Sequence, residues 1–282
     1  MKPRDSLAAA ISTAAAEGRV ALVGFLTAGF PSRRRFKHDL TAVMSACDVV
    51  EIGVPFSDPM ADGTTIQRAS LAALADGVTL PWIFEELEEL LRVRPAPGAA
   101  APAGTRDAPH GVPVLLMSYL NPLLKFGFDE LPRAAVAAGV AGFIVPDLPY
   151  EESAELKAAL DQEGLALVQM VSPVTPAERL AMLCKSAEGF VYAVTMTGTT
   201  GATQGASAAV PDDVLAYMDR VKSASAVPVC AGFGIRSATQ VARFAPHVDG
   251  VIIGSALVEA LERGDDVALF LRSLRQERVP QG

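Results

Sequence analysis

One carboxylate stands where packing gives it no reason to be. The run Val49-Val-Glu-Ile-Gly-Val-Pro55 is a continuous apolar strand except for Glu51. A carboxylate inside such a strand has to be desolvated, paired or used. An ion pair at an edge or at the bottom of a sheet would account for it structurally. Facing an enclosed site, it would have a raised pKa suited to proton transfer near neutral pH. The turn-rich stretch that follows, Pro55-Phe-Ser-Asp-Pro-Met-Ala-Asp-Gly-Thr64, adds Asp58 and Asp62. Aspartates often make turns by bonding nearby backbone, and Asp58, just before Pro59, reads that way. Asp62 reads as a second catalytic carboxylate, reaching the same mouth as Glu51. Tyr192 interrupts another apolar run, Gly189–Thr195. It is either a core tyrosine or a hydroxyl that bonds one of those carboxylates.

Three Gly-rich segments lie late in the chain: Gly198-Thr-Thr-Gly201-Ala202, Gly232-Phe233-Gly234-Ile235 and Gly254-Ser255-Ala256. Each alone need only make a turn. Together, each following an apolar run and the last opening a helix, they match a phosphate cradle. Backbone N–H groups and a helix N-terminus hold a dianion there without a basic side chain.

The elements that must position these groups alternate from end to end. Candidate strands are Ala21–Thr27, Val49–Val54, Val112–Ser118, Gly142–Pro146, Ala166–Val171, Gly189–Thr195, Val227–Ala231 and Gly250–Gly254. Their near-continuous apolar character indicates burial on both faces, as in a parallel sheet covered by helices. Helical stretches are expected at 33–45, 80–92, 128–138, 151–163, 176–185, 212–223, 238–244, 256–262 and 267–276, with Ser, Thr or Pro at several starts and Gly at several ends. An extra N-terminal helix, capped by Asp5 or Ser6 and closed by Gly18, puts Leu7, Ala10, Ile11 and Ala14 on one face. The 282 residues fit one (β/α)8 TIM barrel spanning the whole chain, since such barrels run near ~250 residues. A doubly wound open sheet is the alternative. In a barrel the site lies at the C-terminal ends of the strands, where Asp58, Asp62 and the Gly-rich segments all fall. Residues 94–111, rich in Pro, Ala and Gly, read as a flexible surface loop, and His110 as a solvated loop residue.

Composition narrows the partners. Half of the residues are apolar and the net charge is −8, with Arg33-Arg34-Arg35 the only basic cluster. That cluster reads as a solvated helix start, so neither nucleic acid nor an anionic membrane is expected as a partner. Cys47, Cys184 and Cys230 are far apart and form no CxxC pair, so no metal site and no disulfide framework are expected. Buried thiols suit a cytoplasmic location. The Ala-rich stretch from Leu7 to Ala16 loosely resembles a signal peptide, but it reads better as the amphipathic helix. No apolar run reaches the ~18 residues of a membrane span.

Several blocks carry a family resemblance. Glu51-Ile-Gly-Val-Pro-Phe-Ser-Asp-Pro-Met-Ala-Asp62-Gly is very similar to the signature of tryptophan synthase α subunits. So are Phe25-Leu-Thr-Ala-Gly, Tyr119-Leu-Asn-Pro, Gly142-Phe-Ile-Val-Pro-Asp-Leu-Pro-Tyr-Glu-Glu, Gly232-Phe-Gly-Ile and Gly250-Val-Ile-Ile-Gly-Ser-Ala-Leu-Val, in that order along the chain. The resemblance implies a lyase that splits indole-3-glycerol phosphate into indole and glyceraldehyde 3-phosphate. It makes Glu51 the catalytic acid/base, Asp62 the second carboxylate and Tyr192 the tyrosine beside both. Gly201, Gly232, Gly234, Gly254 and Ser255 correspond to the phosphate site, and Phe25 and Phe233 to residues beside the indole ring. It implies no metal and no cofactor in this chain, and a pyridoxal-phosphate β subunit as partner in an α2β2 complex. Asp58 and Pro149 would lie in the loops that face that partner.

Departures from the family pattern are Thr64, where Pro is usual, the Thr-rich segment from Thr195, and the long 94–111 loop. They leave two other functions in view: a stand-alone lyase releasing free indole, and a non-catalytic barrel that only activates a β subunit. Retention of both Glu51 and Asp62 argues against the second. An isomerase of the same pathway would need other acid/base residues.

Overall fold

Alternation along the strands sorts the apolar side chains into two layers. In the computed structural model, which describes residues 1–92, 111–195, 210–232 and 234–275, the first strand, β1 (Ala21–Thr27), sends Ala21, Val23 and Phe25 to one buried cluster and Leu22 and Leu26 to another. The first cluster fills the inside of a barrel and the second lies between the strands and an outer ring of helices, as period-two alternation requires.

The strands are β1, β2 (Val49–Gly53), β3 (Val114–Met117), β4 (Val140–Ile144), β5 (Ala166–Leu167), β6 (Gln169–Val171), β7 (Val191–Val194), β8 (Val229–Gly232) and β9 (Gly250–Ile253). All pair in parallel in the order β5-β4-β3-β2-β1-β9-β8-β7-β6. The two ends of that order, β5 and β6, are halves of one extended run broken at Val168. Val168 itself donates its N–H to the Phe143 carbonyl at 2.9 Å. The ring therefore closes through this strand, giving the eight-stranded barrel expected from the sequence.

The helices are α1 (Pro3–Ala16), α2 (Phe36–Met44), α3 (Thr64–Ala75), α4 (Leu80–Arg92), α5 (Leu120–Phe126), α6 (Leu131–Ala137), α7 (Ala154–Gln162), α8 (Ala177–Ser186), α9 (Asp212–Ala224), α10 (Ala238–Phe244), α11 (Ser255–Arg263) and α12 (Val267–Leu274). Helix α1 buries Leu7, Ile11 and Ala14 in the barrel-interior cluster, so it plugs the end opposite the strands' C-termini.

Two expectations need correction here. Neither Asp5 nor Ser6 caps α1: the N-cap is Lys2, and Asp5, inside the first turn, accepts the Lys2 N–H at 3.0 Å. The stretches at 33–45 and 151–163 each open with a separate 3-10 turn, Arg33–Arg35 and Tyr150–Glu152. Helices α3 and α5 were not expected at all. α3 buries Ile66, Ala69, Ser70 and Ala73, a face too small and polar to register as an apolar stripe. α5 has seven residues, contains Pro122 and buries only Leu123. Of the triple arginine only Arg34 is exposed as expected: Arg33 lies over the Trp82 ring at 4.7 Å and Arg35 pairs with the buried Asp39.

Candidate active site

Parity places Glu51. Val49 belongs to the barrel interior and Val50 and Ile52 to the outer layer, so Glu51 projects inward, in register with Phe25 on β1 and Leu115 on β3. It is 0% exposed, and neither carboxylate oxygen has a hydrogen-bond partner among the described residues. An edge or bottom ion pair is thereby excluded. Burial, with Asp62 as a nearby like charge, pushes its pKa up to about 8.

Asp62 reaches the same place from the loop after β2. Pro59 O accepts the Asp62 N–H at 3.1 Å and Gln67 Nε2 donates to the Asp62 carbonyl at 2.9 Å, so the turn is held from inside α3. Its side chain is buried and accepts a hydrogen bond from the Tyr119 hydroxyl at 3.0 Å. Burial raises its pKa to about 6, the Tyr119 bond pulling the other way. Near neutral pH the pair thus divides its roles: Glu51 keeps its proton and Asp62 is ionised.

The cleft that joins them is lined by Phe25, Glu51, Asp62, Gly63, Ile66, Met117, Tyr192, Gly234, Ile252, Gly254 and Ser255. Tyr192 is buried at its wall, and burial together with Glu51 and Asp62 keeps its hydroxyl protonated well above the ordinary range. At one side Gly254 leads into α11, whose first residue is Ser255, so a helix N-terminus opens on the cleft. Gly234, in the turn that follows the neighbouring strand β8, also lines the cleft and adopts φ 80°, a conformation that favours glycine.

Most of the expected site residues therefore converge: Glu51, Asp62, Tyr192, Phe25, Gly234, Gly254 and Ser255. Gly232 does not line the cleft. It ends β8 against Tyr192, where a Cβ would come within 2.5 Å of the ring and hydroxyl, so its lack of a side chain seats that tyrosine. Asp58 and Pro149 are exposed on the rim, away from the carboxylates. Asp58 lies in a turn, but its carboxylate accepts from the Ser57 hydroxyl rather than from backbone, and the turn bond is made by its main-chain carbonyl, which takes the Met60 N–H at 2.9 Å. Gly201 and Phe233, and the segments 94–110 and 196–209, lie outside the described residues.

Sequence reasoning missed Tyr119 as a site residue. Its hydroxyl donates to Asp62, accepts the Ala61 N–H at 2.8 Å, and its ring stacks on Phe56 at 5.0 Å. The signals were its position directly after the third strand and its place in the Tyr119-Leu-Asn-Pro block. No group of His, Cys, Asp and Glu that could hold a metal occurs among the described residues.

A family model described as tryptophan synthase alpha chain matches residues 11–277. The chain belongs to this family. It is similar to the tryptophan synthase alpha chains of Solidesulfovibrio magneticus (41% identical over 94% of this chain and 96% of the relative) and of Xanthomonas oryzae pv. oryzae (43%, over 93% and 94%). Among solved structures, tryptophan synthase of Mycobacterium tuberculosis superposes with TM-score 0.80 at 35% identity, covering 95% of this chain and 96% of that one. The α subunit of Legionella pneumophila does so with TM-score 0.80 at 30% identity, covering 99% and 98%. Tryptophan synthase α chains are lyases that cleave indole-3-glycerol phosphate in tryptophan biosynthesis, and this chain carries that half-reaction. They hold no cofactor of their own, pyridoxal phosphate belonging to the β subunit of the α2β2 complex.

Proposed function

We propose that Glu51 is the proton donor and acceptor of a retro-aldol cleavage, with Asp62 as its electrostatic partner. The observation that carries this is a fully buried carboxyl with no partner on either oxygen, in the cleft it shares with Asp62. Indole is a poor electron sink until its ring carbon 3 is protonated. Protonated Glu51 supplies that proton, and the resulting indolenine cation is balanced by ionised Asp62, which also accepts the indole N–H. The Glu51 carboxylate then removes the proton of the side-chain hydroxyl. The C–C bond breaks, its electrons return to the ring, and indole and glyceraldehyde 3-phosphate leave with Glu51 protonated again. Gly234, Gly254 and Ser255 hold the phosphate and fix the scissile bond, and Tyr192 lies against the reacting carbons.

The chain works as one barrel domain, in the cytoplasm, and pairs with a pyridoxal-phosphate β subunit through the rim that carries Asp58 and Pro149. Met60 and Tyr150, beside them, are 82% and 37% exposed, an apolar rim suited to burial by a partner. The test is indole release from indole-3-glycerol phosphate by the isolated chain and after titration with a β subunit. Glu51→Gln should lower kcat by about 10²–10⁴-fold or more, because an amide keeps the shape but transfers no proton. Near-parental turnover by that variant would sink the assignment. A rise of about a hundredfold on adding the β subunit fits obligate pairing; little change means the chain acts alone from an already populated closed form.

A further inference from the structure

We propose that Glu259 is a positioning residue that locks the phosphate cradle to the helix behind Asp62. It stands on α11 one turn beyond Ser255 and is half-buried, with both carboxylate oxygens engaged. One accepts from the Thr65 hydroxyl at 3.2 Å; the other is ion-paired with Arg236.

Each partner leads back to the cleft. Thr65 is the second residue of α3, which begins just after Asp62 and Gly63, and Gln67 of the same turn holds the Asp62 carbonyl. Arg236 lies two residues past Gly234, and its N–H donates to Gln240 Oε1 at 2.8 Å, fixing the turn into α10. One side chain thus joins the segments bearing Asp62 and Gly234 to the helix whose first residue is Ser255. Nothing in the retro-aldol chemistry uses this carboxylate. Near a dianion it is electrostatically adverse, so its charge offers no direct benefit to substrate binding. What it offers is a phosphate cradle already ordered in one position against α3, so that a phosphate-bearing ligand loses no affinity in ordering it.

The inference rests on the phosphate site proposed above. Its test measures KM and kcat for indole-3-glycerol phosphate, and Ki for glycerol 3-phosphate, which shares the substrate's tail. Glu259→Ala should raise KM and Ki together, by roughly tenfold, with kcat changed far less. Glu259→Gln can accept from one partner and donate to Thr65, so it should restore both constants to within about threefold of the parent. Glu262→Ala serves as control: Glu262 pairs with Arg68 at 2.5 Å one turn farther along the same α3–α11 seam, and its loss should leave KM and Ki alone. Unchanged constants in Glu259→Ala overturn the proposal. So do constants that fall, which would make Glu259 only a repulsive charge, and a Gln variant as impaired as the Ala variant. If Glu259→Ala does not fold, Arg236→Ala and Thr65→Val, each cutting one tie, must raise KM and Ki instead. Gly234→Asp separates the two layers of the argument. If it abolishes inhibition by glycerol 3-phosphate while Glu259→Ala changes nothing, only the positioning role fails. If it changes nothing itself, the phosphate site and this inference fall together.

Discussion

Asp48 and Glu51 are buried carboxylates on the same stretch of chain, one just before β2 and one within it, and the molecule treats them in opposite ways. The Asp48 side chain is 0% exposed and saturated: Arg19 reaches it with both Nη atoms at 2.7 and 2.8 Å, the Leu22 N–H donates at 2.9 Å, and Arg275 approaches at 3.4 Å. Glu51 is equally buried and has nothing bonded to either oxygen among the described residues. Burial is common to both, so it cannot be what marks a catalytic group. The difference is compensation. A buried charge that is paired and hydrogen-bonded holds the structure together, whereas one left uncompensated keeps its proton and is available for chemistry.

That contrast breaks most sharply if the two residues are exchanged in their consequences. Glu51→Gln, the variant that should lose about 10²–10⁴-fold in kcat, should fold at least as stably as the parent. The parent carries a raised Glu51 pKa, so its contribution to stability is full below the ordinary pKa of 4.5 and is lost as pH rises through about 8. Thermal unfolding across that range should show the parent weakening and the Gln variant weakening less; equal pH dependence would refute the uncompensated state of Glu51. Asp48→Asn should do the reverse. Leaving Arg19 and Arg275 without their buried counter-charge should cost about 3–5 kcal/mol of stability, read by denaturant titration, while kcat of the folded fraction stays near parental. A large loss of kcat with intact stability would undo the comparison.

The next effect in size concerns the anion. Gly234→Asp puts a charged side chain at φ 80°, facing the proposed phosphate. KM should rise steeply, by about tenfold or more, with a smaller change in kcat. The smallest effect sharpens the carboxylate pair itself. With Glu51 acting protonated and Asp62 ionised, kcat against pH should be bell-shaped with limbs near 6 and 8. Tyr119→Phe removes the hydroxyl that pulls the Asp62 pKa down, so the acid limb should move to higher pH. Activity at pH 6 should fall roughly three- to tenfold, from the loss of one hydrogen bond to a charged group, and less at pH 8. An unmoved acid limb would mean that another group sets it.

Much of this was legible in the residues because the barrel writes its pattern locally. Strand β2 shows a single polar residue in an apolar run, which singles out Glu51, although only the structure, by placing Val49 inside, fixes that it points inward. The Gly-rich turns after β8 and β9 sit at fixed places in the β/α rhythm, so Gly234, Gly254 and Ser255 could be grouped before any fold was known. Tyr119 was not legible as a site residue, because its role depends on Asp62, whose loop arrives from 57 residues earlier in the chain. Gly232 was grouped with the phosphate cradle for its neighbours in sequence, whereas a side chain on the adjacent strand, Tyr192, is what requires it. Helix α3 escaped because it packs with small residues, and the ion pairs along α3 and α11 escaped because exposed charges carry no periodicity that singles them out.

The pairing of β1 with β9 has a consequence for synthesis. Ala21 is in register with Gly250, so the strand made first waits for the strand made last. Until β9 leaves the ribosome, β1 offers an unpaired edge of backbone N–H and C=O groups along a strand that is apolar but for Thr27, and such edges recruit other chains. Helix α12 ends still later, and only then can Arg275 reach the Ala46 carbonyl at 2.6 Å and Asp48 beyond it. Chains released before Gly250 should therefore aggregate rather than persist as a shorter barrel, and the nascent protein is most exposed to chaperone capture over the interval in which β2 to β8 are assembled around an open seam.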